Sequence, residues 1–172
     1  MSRWQADGAF SSKHHDWQTP AEFFELLNDE FGFTLDAAAS AHNAKVSNYF
    51  TKEDDALKQD WAKAAGKGGA VFMNPPYGRK IGAWIEKAAE EGQRVTVVAL
   101  VFARTDVKWF HDHIMPKATE LRLIRGRLSF TREGRKGTAP APSMIVVWRP
   151  GIRVTKHLPA YSSARQPREA TK

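Results

Sequence analysis

Ala70-Val71-Phe72-Met73-Asn74-Pro75-Pro76-Tyr77-Gly78 is the stretch on which the fold turns. Four apolar residues follow the Gly66-Lys67-Gly68-Gly69 loop and stop at an Asn-Pro-Pro turn, the pattern of a short buried strand. Ile81 to Glu91 then carries apolar residues at helical spacing (Ile81, Trp84, Ile85, Ala88, Ala89) and meets Gly92, a good helix C-cap. Val95 to Phe102 is apolar except for Thr96, which suits a strand covered on both faces. Strand, helix and strand in that order predict an α/β fold with a mostly parallel sheet.

On the N-terminal side, Phe31-Gly32-Phe33-Thr34-Leu35 reads as a short strand leading into Asp36, and Ala37 to Ala41 begins a tight turn or helix. Before it, Phe23-Phe24-x-Leu26-Leu27 gives one apolar helical face. Thr19 can cap that helix, with Pro20 at its first position and Glu22 at its third, close to a capping box. Residues 43–60 are polar and irregular. On the C-terminal side, Trp109 to Ile114 predicts a helix stopped near Pro116, and Leu121–Ile124 and Ser143–Trp148 predict two strands. No helix is evident between those two, so they are expected to form a late antiparallel pair. The intervening residues 126–142 are basic and contain Gly and Pro, and read as a mobile loop. Residues 1–15 read as a flexible arm, 16–150 as one domain, and 151–172 as a basic flexible tail.

The 172 residues, 42% of them hydrophobic, suit one compact domain. No run approaches the ~18 apolar residues of a membrane span, and Met1 to Phe10 lacks the pattern of a signal peptide. The absence of cysteine excludes disulfides, thiolate metal sites and thiol nucleophiles, and is compatible with a reducing cytoplasm. The six histidines show no metal-ligand spacing, so no metal is expected. Charge is unevenly spread. Residues 1–60 hold 5 Lys/Arg against 11 Asp/Glu, while residues 61–172 hold 21 against 8. The basic part fits phosphate contacts or a plain solvated face.

The loop after the central strand has the chemistry of a site. Ligands of open α/β sheets collect at the carboxyl ends of strands. Two prolines fix φ and supply no N–H, so neighbouring carbonyls are held stiffly. Asn74 adds a side-chain carbonyl. Two acceptors holding the two protons of an amine would turn its lone pair toward an electrophilic methyl group. Tyr77 offers a flat face for a base, and Gly78 allows close approach.

Beside these residues, several segments resemble those of one family. They are Trp17-x-Thr19-Pro20, Phe31 to Ala39, Tyr49-Phe50-Thr51, Asp54-Asp55-x-Leu57, Asn74 to Gly78, Arg104-Thr105-Asp106-x-x-Trp109-Phe110 and Gly126-Arg127-Leu128-x-Phe130. The chain resembles the phage-type DNA N6-adenine methyltransferases, the phage Dam group. Asn-Pro-Pro-Tyr alone also occurs in methyltransferases of protein glutamine and of RNA; the combination is more specific. The resemblance implies a Rossmann-like sheet and S-adenosylmethionine as cofactor. It implies a DNA adenine flipped out of the stack, and no metal. Asn74 and the Pro75 carbonyl would hold the adenine N6, with Pro76 completing the loop and Tyr77 stacking on the base. It also implies a phage or prophage protein working in the host cytoplasm, marking DNA against restriction.

For the cofactor, Asp36 at the end of an apolar strand is the best candidate from the residues themselves. By resemblance, Ala37 and Ala38 form a close-approach turn beside it. Thr19-Pro20 would close over the methionine part, Asp55 would contact the cofactor's adenine, and Asn74 would border both ligands. Thr19 also reads as a helix cap alone, and Asp54-Asp55 as a solvated turn. Two features depart from the family: Ala38-Ala39-Ser40 replaces the glycine-rich loop, and only 19 positions separate Asp36 from Asp55. The sheet is therefore expected to be shortened around the cofactor motifs, with no evident acid for the ribose.

For DNA, the basic run Arg122, Arg125, Arg127, Arg132, Arg135 and Lys136 offers phosphate contacts, and Arg104 with Asp106 follows a buried strand toward the site. Two other readings stand beside the enzyme: a non-catalytic basic DNA-binding module, and an amine or amide methyltransferase acting on RNA or protein.

Overall fold

The structure, a computed structural model, describes residues 18–132, 135–152 and 156–162. Its centre is a six-stranded mixed sheet. In spatial order the strands are β1 (Phe33–Asp36), β2 (Ala70–Met73), β3 (Thr96–Phe102), β7 (Ser143–Trp148), β4 (Glu120–Arg125) and β8 (Lys156–Ser162). β1, β2 and β3 pair in parallel; β7 runs antiparallel to both β3 and β4, and β8 is parallel to β4. The sheet is thus mostly parallel with one reversed strand. Leu121–Ile124 and Ser143–Trp148, within β4 and β7, form the expected antiparallel pair.

Alternation along the central strands divides the core in two. Val71, Met73, Val97, Ala99 and Val101 face α2 (Trp61–Ala65) and α3 (Ile81–Glu91), joined by Trp61, Ile85, Ala88 and Ala89. Ala70, Phe72, Val98, Leu100 and Phe102 face the other way, onto Phe23, Phe24 and Leu27 of α1 (Ala21–Phe31). Helices cover both faces, which explains why these strands carry unbroken apolar runs. Among the described residues, no helix is long and apolar enough to cross a membrane.

Several expectations change. α1 begins at Ala21 with Pro20 as its N-cap, and no side chain caps it. Thr19 is therefore not a helix cap; its hydroxyl is used elsewhere. Gly92 does end α3, but with a right-handed φ of −59°. Glycine is needed there for space: a Cβ would lie 2.3 Å from the Trp148 Cβ. The helix expected at Trp109–Ile114 is a π-helical turn, Phe110–Ile114. The segment 126–142, read as a mobile loop, contains an antiparallel hairpin of β5 (Ser129–Arg132) and β6 (Arg135–Thr138). Leu128, Phe130 and Ala139 anchor it in the α1-side core. The tail expected from residue 151 contributes β8, whose Pro159 and flanking charges hide it from pattern reading. Proline is tolerated in such an edge strand. Residues 1–15, read as an arm, lie outside the described residues.

Between β1 and α2 the chain makes only turns and a 3₁₀ turn, Ala56–Lys58. Residues 48–50 lie along the end of β1, where Asp36 forms a single parallel bridge with Tyr49. The Asp36 amide donates to the Asn48 carbonyl (3.0 Å) and the Phe50 amide to the Asp36 carbonyl (2.9 Å).

Candidate active site

Because β1, β2 and β3 are parallel, their carboxyl ends share one edge of the sheet. That edge carries Asp36, Asn74 and Phe102. β4 also ends there, at Arg125, and leads into the hairpin; β7 begins there, with Ser143 opposite Phe102. Sequence elements far apart are thus brought to one side by strand direction alone.

Asn74 is the first residue beyond β2. Its side-chain amide donates to the Thr19 hydroxyl at 3.1 Å. The buried Thr19 is therefore a strut for the loop. Pro75 is buried, and among the described residues no backbone N–H donates to its carbonyl. The Tyr77 ring stacks on Phe102, centroids 3.9 Å apart and planes 16° apart. One of its faces is thus taken by protein. Its hydroxyl lies 3.3 Å from Asn74 Oδ1 and 3.3 Å from the Leu100 carbonyl. Burial raises the phenol well above its ordinary range, so it stays a donor.

Asp36 is only 3% exposed. Its two oxygens accept the backbone amides of Ala38 (3.3 Å) and Lys45 (3.1 Å). Burial pushes its pKa up to about 6, against the opposing pull of those two amides and of the Lys45 charge. Lys45 reaches across to donate to the Thr19 carbonyl at 2.7 Å. Thr19, Asp36, Ala38 and Asn74 line one pocket, together with Gln18, Asn43, Lys45 and Phe72.

Other candidates lie apart from this pocket. Ala37 is fully buried, its amide bonded to the Phe72 carbonyl, and the Pro20 carbonyl accepts the Phe24 amide. Asp55 holds a positive φ of 49° and pairs with the exposed Lys58 at 2.7 Å. Asp54 accepts the Thr51 amide and hydroxyl, as a turn-forming aspartate does. Arg104 and Asp106 are exposed and 3.5 Å from each other. Arg125 is exposed at the end of β4. Arg127 bonds the Ala139 and Pro140 carbonyls, at 3.1 and 2.6 Å, and so ties the two ends of the hairpin. Arg132, Arg135 and Lys136 belong to the hairpin strands, and their side chains lie outside the described residues. Arg122 is a correction. It points into the α1 side, where Glu30 and Glu120 bind its guanidinium.

With this geometry in view, the comparisons are decisive. The family described as DNA N-6-adenine-methyltransferase (Dam) matches residues 9–170. The chain belongs to that family. It is 32% identical over 142 residues to a DNA N-6-adenine-methyltransferase of Haemophilus phage HP1, covering 78% of each chain. It is also 32% identical over 98 residues to the DNA N-6-adenine-methyltransferase of Escherichia phage T1, covering 56% of this chain and 39% of that one. Among solved structures, a predicted O-methyltransferase from Agrobacterium tumefaciens superposes with a TM-score of 0.40 at 17% identity, over 76% of this chain and 81% of that one. The chain is a DNA N6-adenine methyltransferase. The binding-module reading and the RNA or protein methyltransferase reading both give way to that match.

Two residues that the structure places beside the candidate pocket and loop are not evident from the sequence. Lys45 stands in a polar, aperiodic stretch, and nothing local sets it apart from surface lysines. Phe102 closes an apolar run that reads as core; only the register of β3 against β2 brings it under Tyr77.

Proposed function

We propose that this methyltransferase moves the methyl group of S-adenosylmethionine to the N6 amine of an adenine flipped out of DNA, with Asn74-Pro75-Pro76-Tyr77 as the catalytic loop. The observation that carries this reading is the Asn74–Thr19 bond. It engages the amide end of the asparagine side chain and leaves Oδ1 on the side of the Tyr77 hydroxyl. In that orientation Asn74 Oδ1 and the Pro75 carbonyl accept the two N6 protons. The bonded amine becomes more nearly tetrahedral, and its lone pair is aimed for in-line attack. With the cofactor bound, its methyl group would be supplied to the N6 nitrogen so held, and one N6 proton would leave to solvent. The adenine stacks on the Tyr77 face opposite Phe102. On substrate entry the Tyr77 hydroxyl donates its hydrogen bond to the Leu100 carbonyl alone, and Asn74 Oδ1 turns to N6.

The pocket beside the loop has the chemistry for the cofactor. When bound, S-adenosylmethionine supplies an electrophilic methyl on a sulfonium. A buried carboxylate and an ammonium on one wall suit its zwitterionic amino-acid tail, and Thr19, Asp36 and Ala38 are the residues we assign to it. Pro20 and Ala37 act through the backbone turns they make. Asp55 sits in an exposed turn and would reach the adenosine only at the pocket's rim. Arg104 and Arg125 are exposed on the same edge as Asn74 and are the candidates for DNA phosphates, while the Asp106 carboxylate beside Arg104 is a candidate acceptor for an amine of the flipped nucleotide. The hairpin with Arg132, Arg135 and Lys136 extends that surface, and Arg127 braces it.

Transfer of a labelled methyl group to unmethylated duplex DNA tests the reading, with RNA and peptide as competitors. The expected result is N6-methyladenine in DNA, with Asn74→Ala slower by about a hundredfold or more. Wild type as inactive as the variant across varied DNA, or label appearing on RNA or peptide, would sink it.

A further inference from the structure

We propose that Lys45 is the counter-ion of the cofactor's α-carboxylate, and this rests on the assignment of the Asp36 pocket to S-adenosylmethionine. The Lys45 amide donates to Asp36 Oδ2, which folds residues 37–45 back over the end of β1. The side chain then crosses the pocket to the Thr19 carbonyl. An ammonium has three donor hydrogens. Thr19 takes one, and among the described residues no second acceptor hydrogen-bonds Nζ. Its other neighbours are the Phe24 ring, with the centroid 6.0 Å away, and the Asp36 and Glu25 carboxylates, which act on it through charge.

Asp36 acts on this cation through charge, with no salt-bridge contact between the two among the described residues, and each of its oxygens accepts one backbone amide, of Ala38 or Lys45. The pocket therefore holds one positive and one negative group, separated and each with bonding capacity left. A phosphate would meet the Lys45 charge but be repelled by the buried Asp36. An amino-acid zwitterion satisfies both, its carboxylate on Lys45 and its ammonium toward Asp36. Half-burial of Lys45 sharpens the preference, because a partly desolvated cation gains most from an anion brought to it.

Calorimetric titration of the full chain with S-adenosylhomocysteine and with its decarboxylated analogue tests this. Wild type should bind the carboxylate-bearing ligand more tightly, by about tenfold to a hundredfold. Lys45→Met should lose that preference while binding the decarboxylated analogue as tightly or more so, since a like charge is gone. Lys45→Arg should keep most of it. Equal affinity of wild type for the two ligands overturns the proposal without any variant. A Lys45→Met loss equal for both ligands also overturns it, and makes Lys45 only a brace for the Thr19 carbonyl; in both cases the pocket assignment survives. Wild type that binds neither ligand overturns the assignment and the proposal together.

Discussion

The Asn74 side-chain amide donates to the Thr19 hydroxyl across 3.1 Å, joining the end of β2 to the residue before Pro20, 55 positions earlier in the chain. Under the proposed function, this bond decides which end of the Asn74 side chain is offered to substrate. Thr19→Val keeps the shape and removes the acceptor. The expected outcome is a fall in methyl-transfer rate of about tenfold to a hundredfold with a stability loss of only about 1 kcal/mol. Thr19→Ser should keep the rate. Single-turnover kinetics beside a denaturant melt separates the two effects. An unchanged rate in Thr19→Val would mean that the loop is oriented without this bond.

Tyr77 divides its work between ring and hydroxyl. The one hydroxyl proton has two acceptors at 3.3 Å, so its loss removes one hydrogen bond shared between the Leu100 and Asn74 carbonyls. Tyr77→Phe is expected to keep catalysis within about fivefold and to cost about 1 kcal/mol of stability. Phe102→Ala removes the surface on which the ring rests. That change should cost about 3–5 kcal/mol and raise the KM for DNA more than it lowers kcat. A Tyr77→Phe enzyme as dead as Tyr77→Ala would assign the hydroxyl a direct part in the reaction.

These two residues show what was legible in the sequence. The strands β1, β2, β3, β4 and β7 and the helices α1 and α3 follow from apolar runs bounded by Gly and Pro, and so does the place of Asn74 at a strand end. Thr19 was legible only as two alternatives, because a hydroxyl before a proline looks the same whether it caps a helix or reaches another loop. Lys45 and Phe102 were invisible, since their roles come from tertiary register and not from local pattern. The hairpin was hidden because its strands are short and charged, and its anchors Leu128, Phe130 and Ala139 are isolated apolar residues in a basic stretch.

Asp36 makes the site sensitive to mild acid. Burial raises its pKa from 3.8 to about 6. The folded chain therefore holds this proton more tightly than the unfolded chain, and ionisation of Asp36 opposes folding. Its contribution costs nothing below about pH 4, grows as pH rises to about 6, and amounts to about 3 kcal/mol above that. Ligand binding has the opposite sense, because a cationic amine needs the ionised carboxylate. Affinity for S-adenosylhomocysteine should be flat near pH 7 and fall as pH drops through 6, by up to about tenfold per unit. Asp36→Asn should be weak throughout and show no such slope. A slope that persists in Asp36→Asn would place the titrating group elsewhere.

Arg122 and Arg125 stand three positions apart on β4 and have opposite fates. Arg122 is 4% exposed, with Glu30 and Glu120 on its guanidinium at 2.5 Å. Arg149 adds a second cation to Glu120 at 2.9 Å, and both guanidinium carbons lie about 5 Å from the Phe31 ring. This cluster fastens the C-terminal part of α1 to the sheet, at the edge away from Asn74. Arg125 is exposed, at the edge that carries the site. Arg122→Met leaves two carboxylates short of a partner and should destabilise the fold by about 3–5 kcal/mol. Arg125→Ala should leave stability within about 0.5 kcal/mol and lower the salt dependence of DNA binding by about one phosphate contact. Denaturant melts and DNA affinities measured across a range of salt concentrations read both effects. The assignment inverts if Arg122→Met melts like wild type and is the variant that loses the salt dependence.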